Sequence, residues 1–539
     1  MPGAPATWAG KAEVKGSSET MRMVLLSFTT VGIVFVWGVE MTYCTPYLLN
    51  LGLSKSTTSL VWIAGPLSGL IVQPIIGALA DESTSKYGRR RPVIVAGSII
   101  VSMALWVLGF TQELVLFFGY LPSESKNLVI ALAIAAIYVV DFAINAVMSC
   151  SRSLIVDTLP IEKQQAGAAW SSRLAAIGHV VGYAAGAVDL VGVFGTTLGD
   201  TQFKQLVSLA IIFVLSSSSV SCWAVSERVL LPRPRAANES RFRVVHQIWS
   251  TLLNLPPRIQ AICWAQFWAW IGWFPFQFYS TTWVGEIYFR YDAPVSAKTG
   301  DSLGDIGRIG SKALVMYSTV TFLGAWLLPL IVKSPDVGNY TRRPPQSIAK
   351  VVNLLSDKKP DIVTAWIIGD LIFASAMFMA PMANSFKFAT TLVCICGIPW
   401  SVANWAPVAT LGVEVNRLSG PSSKTHRRSS SAGALEKGHR SSAGDASSNG
   451  ELSGIYFGIL NIYSTIPQFL GNFISTIVFS ILEPGKSPEL ATDAHPSETH
   501  STDGPNAIAV CLFIGALSAL VAAHAALQLK RLQSATLGR

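Results

Sequence analysis

The chain has 539 residues, of which 51% are hydrophobic and only 13% charged, and its net charge is +9. A soluble protein of this length carries roughly twice that charged fraction, and the mean hydropathy here is +0.45. The composition therefore excludes an ordinary soluble enzyme and indicates a polytopic membrane protein. The positive balance alone would suit nucleic acid, but its placement along the chain assigns it to topology instead, and no nucleic-acid partner is expected. The seven cysteines lie mostly in apolar runs without framework spacing and read as small buried hydrophobes. Polar residues 1–20 lead directly into an apolar run too long for a signal-peptide core, so no cleavable leader is expected.

A spanning helix needs about 20 mainly apolar residues. Twelve windows qualify, approximately 24–46, 58–80, 92–112, 128–157, 172–194, 206–226, 258–283, 309–332, 361–382, 388–412, 453–482 and 506–528. They divide the chain into a tail (1–23), a six-helix half (24–226), a linker (227–257), a second six-helix half (258–528) and a second tail (529–539). Within the second half, 415–450 is rich in Ser, Gly and basic residues and is expected to be a disordered cytoplasmic loop. With both termini placed in the cytoplasm, 30 of the 40 lysines and arginines fall on that side and 8 on the other. That is the asymmetry the positive-inside rule requires.

The turn after the second window, "GALADESTSKYGRRRP" (Gly77–Pro92), concentrates charge at a cytoplasmic helix exit. "SPDVGNYTRRP" repeats the pattern faintly after the eighth window, as expected of paired halves. Asp81 is expected to pair with Arg89, Arg90 and Arg91 and to cap the third helix. Gly77 would permit close helix approach, and Gly88 completes the turn. Such a cluster serves as a cytoplasmic gate or as a topogenic anchor.

The fourth window, "VVDFAINAVMSCSRSLIVDTLP", holds Asp141 and, eleven residues on, Arg152. At about 100° per residue the two return to within roughly 20° of one face, some 16 Å apart along the axis. Charges inside a bilayer usually face a cavity and mark an ion or proton route; the alternative is an interhelical tether. Glu40 in the first window and Asp370 in the ninth are the other isolated acids. His179 reads equally as a titrating group or a satisfied interhelical hydrogen-bond partner. The seventh window is dense in aromatic rings. Together with the amides of Asn145, Gln266, Gln277, Asn404, Asn461 and Gln468, it fits a neutral polyol better than an ion or lipid. No Walker loop, metal-ligand spacing, nucleophile elbow or HExxH sequence occurs. No cofactor, metal or ATP-driven step is expected, and no enzymatic activity.

The collinear motifs "TPYLLNLG", "GPLSGLIVQPIIGALADESTSKYGRRRP", "GHVVGYAAG", "WIGWFPF", "GIPW" and "GILNIYSTIPQ" resemble the sucrose–proton symporters of plants and their fungal α-glucoside relatives, within the major facilitator superfamily. The resemblance spans all twelve windows. It implies an all-α, twelve-helix fold of two pseudo-symmetric halves. It also implies proton-coupled uptake of a disaccharide by alternating access, in a functional monomer of the plasma membrane. Proton coupling is placed on Asp141, Arg152 and Glu40, and sugar binding on Asp141, Asn145, His179, Gln277, Asn404 and Asn461. Four positions depart from the plant pattern. Lys55 replaces a histidine, Ser280-Thr281-Thr282 replaces a segment with two aspartates, an arginine before Glu286 is missing, and Glu40 replaces a glutamine. These point to the fungal branch, with maltose beside sucrose as substrate. The alternatives are a sugar sensor signalling through 415–450, sodium coupling, or a vacuolar location.

Overall fold

Long apolar runs in lipid must satisfy their own backbone N–H and C=O groups, and so become helices. The computed structural model describes residues 8–81, 83–122, 124–230, 251–293, 302–333, 359–419, 443–488, 490, 498–499 and 504–537. Each of the twelve windows carries a long helix. In the first half these are α1 (Thr29–Asn50), α2 (Lys55–Gly77), α3 (Arg91–Gly109), α4 (Lys126–Thr158), α5 (Ile161–Ala187) and α6 (Gln202–Ala224). In the second they are α7 (Pro257–Ile287), α8 (Ser302–Ile331), α9 (Ile362–Phe378), α10 (Phe386–Val415), α11 (Ala443–Leu482) and α12 (Ala507–Leu537). Ten are long and apolar enough to cross a membrane, counting α1 with the short helix Glu19–Ser27 from which it bends by 40°. The remaining two, α5 and α7, carry Arg173, His179, Gln266, Gln277 and Glu286.

The two halves repeat one packing scheme. In the first, α1 packs on α5 and α6, α2 on α4, and α3 on α4 and α6; in the second, α7 packs on α11 and α12, α8 on α10, and α9 on α10 and α12. Across the halves, α2 meets α11 and α5 meets α8, which exchange under the same pseudo-twofold. Glycines set the closest approaches. A Cβ on Gly272 of α7 would lie 2.7 Å from the carbonyl oxygen of Gly515 in α12, backbone against backbone.

The first tail is more structured than its sequence suggests. Strands β1 (Trp8–Ala9) and β2 (Glu13–Val14) pair antiparallel with β4 (Val229–Leu230) and β3 (Val225–Ser226), just beyond α6. This end of the bundle also holds the α2–α3 turn, the end of α4 and the end of α12, and is the terminal end below. Of the loop expected at 415–450, residues 420–442 lie outside the described residues. Its edges are helical: the helix of α10 runs on to Ser419 and α11 opens at Ala443.

Cross-half hydrogen bonds among the described residues cluster away from the terminal end. Thr45 Oγ1 donates to the Phe278 carbonyl at 3.1 Å and Thr281 Oγ1 to the Met41 carbonyl at 3.2 Å. Ser59 and Thr476 hydroxyls meet at 2.7 Å, and Asn50 Nδ2 donates to the Leu490 carbonyl at 3.0 Å. The far end is therefore closed.

Candidate functional site

The site is built on α4 and α1. On α4, Ala143 and Val147 pack against Gly97 of α3, so the opposite stripe, with Asp141, Asn145 and Arg152, faces the interior between the halves. Asp141 and Asn145 are buried, whereas Arg152 is exposed. Arg152 lies further along the same helix, toward the terminal end. One stripe thus holds a buried acid and an exposed base.

Asp141 Oδ2 is buried and has no hydrogen-bond partner among the described residues. Glu40 on α1 is in the same condition at Oε1, and Asp141 is near enough for its charge to act on Glu40. Glu40 opens a π-helical turn, Glu40–Cys44, set into α1. The local cause is Pro46, which follows the turn and has no N–H to continue the i→i−4 ladder, so the register widens by one residue. The turn reorients this part of α1 against α7, through Met41 and Thr45, and against α5, where Tyr43 donates to the Gly186 carbonyl at 2.7 Å.

The other predicted positions divide into two groups. The Asn145 amide is engaged within its own half: Nδ2 donates to Ser68 Oγ at 2.7 Å and to the Asp141 carbonyl at 2.9 Å, while Oδ1 accepts from Gln73 Nε2 at 2.8 Å. In this state it ties α2 to α4. His179 is half-buried, stacks on Tyr183 with centroids 5.5 Å apart, and leaves Nδ1 without a partner among the described residues. Tyr183 in turn reaches Met41 Sδ at 3.7 Å, so the pair borders the π turn. Gln277 is half-buried, and Asn404 and Asn461 are exposed. Asn404 lies one turn beyond Trp400, whose carbonyl accepts from its Nδ2 at 2.9 Å. Trp400 packs edge-on to Trp270 at 6.0 Å. Asp370 is buried among α9, α10 and α12, away from this stripe.

The basic turn is organised differently from its sequence reading. Glu227, just after α6, caps α3: its carboxylate accepts from the backbone N–H of Arg89, Arg90 and Arg91 at 2.8, 2.9 and 2.8 Å. Asp157 at the end of α4 accepts from Arg89 Nη2 at 2.7 Å and Arg90 Nε at 3.0 Å. The side chain of Asp81, the acid expected in this role, lies outside the described residues. Gly77 contributes its carbonyl to Arg90 Nη1 at 3.4 Å, and a Cβ there would meet nothing within 4 Å, so the close helix approach expected at this glycine is not made here. Gly88 is required: φ is +104°, and a Cβ would sit 2.7 Å from Glu227. Glu227 and Asp157 were missed because their role depends on three helix ends meeting in space. Asp157 belongs to the first half and Glu227 to the start of the linker just after it, and both lie far from Asp141. Arg89→Ala with Arg90→Ala is accordingly expected to slow cycling severalfold while sugar affinity in detergent stays within a few-fold, as binding and initial-rate measurements would show. A collapse of binding in a folded variant would place these arginines in the site.

The family model described as "MFS/sugar transport protein" matches residues 26–286. The chain is 28% identical to the general alpha-glucoside permease of Schizosaccharomyces pombe, over 94% of this chain and 93% of that one. It is 26% identical to the sucrose transport protein SUC4 of Arabidopsis thaliana, over 88% of each. Among solved structures, a D-xylose–proton symporter aligns with a TM-score of 0.52 at 14% identity, covering 93% of this chain and 96% of that one. A bacterial homologue of the lysosomal transporter Spinster, inward-facing and occupied, aligns at 0.53 and 15% identity, covering 96% and 98%. The chain has the fold of these transporters. Its apolar helices make it a multi-pass membrane protein, and the relatives and neighbours it resembles are transporters.

Proposed function

We propose that this transporter couples inward proton movement to uptake of an α-glucoside disaccharide, maltose or sucrose, across the plasma membrane, with both termini cytoplasmic. The observation that carries the reading is the α4 stripe: a buried acid whose Oδ2 has no partner among the described residues, beside a second such acid on α1, aligned with an exposed arginine toward the terminal end. Asp141 takes the proton when the site faces outward, holds a sugar hydroxyl, and releases the proton once the site opens inward. Arg152 favours the ionised carboxylate after release. Trp270 and Trp400, with Asn404 and Gln277, offer the ring faces and amides that a sugar's CH faces and hydroxyls require. The permease and sucrose-carrier relatives support the sugar class, and the 30-to-8 charge asymmetry supports the orientation. Rocking of the halves about α2–α11 and α5–α8 alternates access.

The test is uptake of radiolabelled maltose and sucrose at two pH values in yeast lacking endogenous permeases. Accumulation that rises with external acidity and collapses with a protonophore is expected. Accumulation that follows sodium, or no transport of either sugar by a surface-localised protein, would overturn the reading.

A further inference from the structure

At the closed far end, four charged side chains from both halves are almost completely withdrawn from solvent. Lys55 opens α2, Glu286 closes α7, Arg290 lies one turn beyond it, and Glu483 follows α11. Their exposures are 3%, 0%, 9% and 2%. Lys55 Nζ lies 2.6 Å from Glu286 Oε1 and is also paired with Glu483. Arg290 Nη2 lies 3.2 Å from Glu483 Oε1 and 3.9 Å from Glu286 Oε2. Asn506 Nδ2 donates to Glu286 Oε2 at 2.8 Å, and the backbone N–H of Ala507 to Glu483 Oε1 at 3.3 Å.

We propose that Lys55, Glu286, Arg290 and Glu483 form the ion-pair gate that shuts the external face of the transporter. The proposal rests on the alternating-access reading and adds the residues that hold one of its two states. Of the four, only Lys55 comes from the first half. Removing one partner from a buried ion pair is costly because a charge is left dry and uncompensated. Here separation of the halves does not have that consequence. Lys55 moves out with α2 and is hydrated, while Arg290, Asn506 and the Ala507 N–H remain on the two carboxylates. Without Lys55 the second-half cluster carries one excess negative charge, complementary to the departing lysine, so the faces attract on return. The gate is therefore satisfied when closed and tolerated when open, as a two-state element requires. Thr45, Thr58, Tyr279, Thr282 and Phe479 line a small crevice together with Lys55, and the Ser59–Thr476 contact lies alongside.

Two reporters in the full chain test this. Ser59→Cys with Thr476→Cys should cross-link under mild oxidation and arrest transport until reduced. Thr58→Cys should react slowly with a membrane-impermeant thiol reagent applied to intact cells, with the parent lacking this cysteine as the blank. Lys55→Met with Glu483→Gln, which removes one charge of each sign, should lower the cross-linking yield and raise the labelling rate. The expected change is about tenfold in labelling, modest on the scale of two-state shifts. Glu483→Gln alone, which leaves Glu286 to both cations, should give a smaller change in the same direction and serves if the double variant fails to reach the membrane. Unchanged labelling and cross-linking in surface-localised variants would overturn the gate. Labelling that rises only in permeabilised cells would leave the gate standing and overturn the proposed orientation. Neither reporter requires that the sugar or the coupling ion be known.

Discussion

Asp141→Asn should abolish accumulation of sugar against its gradient and the inward current that sugar evokes. The loss is expected to be at least about 100-fold, the lower end of what removing a positioned proton-transfer group costs. The amide has the shape of the protonated acid but cannot release a proton, so the loaded form becomes permanent. Exchange of internal for external sugar, which needs no proton release, is expected to survive in part and to lose its dependence on pH. Folding should be little affected, since Asp141 Oδ2 has no described partner to lose. Asp141→Glu keeps the charge but shifts it by about one methylene, so partial activity with a moved pH optimum is expected. Proteoliposome uptake with an imposed pH gradient, beside counterflow without one, separates these outcomes. If the Asn variant still concentrates sugar, coupling passes to Glu40, the neighbouring acid on the π turn.

The parts of this architecture visible in the sequence are those governed by local rules. Each of the twelve apolar windows falls on a long helix, because the length of a spanning run is set by the bilayer and not by neighbours. Even so, α5 and α7 carry too many polar residues to stand out by apolarity alone. The α4 stripe was equally legible, since eleven residues on a helix fix the relative direction of Asp141 and Arg152 whatever surrounds them. Partner choice was not. The basic turn announced its cations, but Glu227 lies 136 to 138 residues from the backbone groups it caps, and no periodicity connects them. The far-end cluster is the same case: Lys55 and Glu483 are 428 residues apart in sequence. Lys55 stood out only as a departure from the plant pattern. Asn145, expected to face sugar, is held by Ser68 and Gln73, because an amide on a buried helix face bonds whatever polar group the packing brings near.

Gly272→Val should damage the bundle strongly without touching a charge. The glycine on α7 faces Gly515 on α12, where an added Cβ would meet a carbonyl oxygen at 2.7 Å and the carbonyl carbon and Cα of Gly515 at 3.1 Å. Backbone on the opposing side has no rotamer with which to yield, so the helices must separate. Overpacking of this kind typically costs ~1–3 kcal/mol, occasionally more, against a total stability of only about 5–15 kcal/mol. Because α7 and α12 belong to the same half and move together, the damage should appear in both conformational states. It should be read as a fall of several degrees in melting temperature in detergent and reduced membrane insertion. Gly307→Ala supplies the contrast. Its Cβ would fall 2.2 Å from the Tyr43 ring, across the two halves, so opening the far end relieves the clash. That variant should insert normally while Thr58→Cys in the same chain labels faster from outside. Gly412→Val, with nothing within 4 Å of its Cβ, should change neither quantity. Equal melting temperatures for Gly272→Val and Gly412→Val would show that α7 and α12 separate at little cost, and the backbone contact would lose its place as a rigid element of the second half.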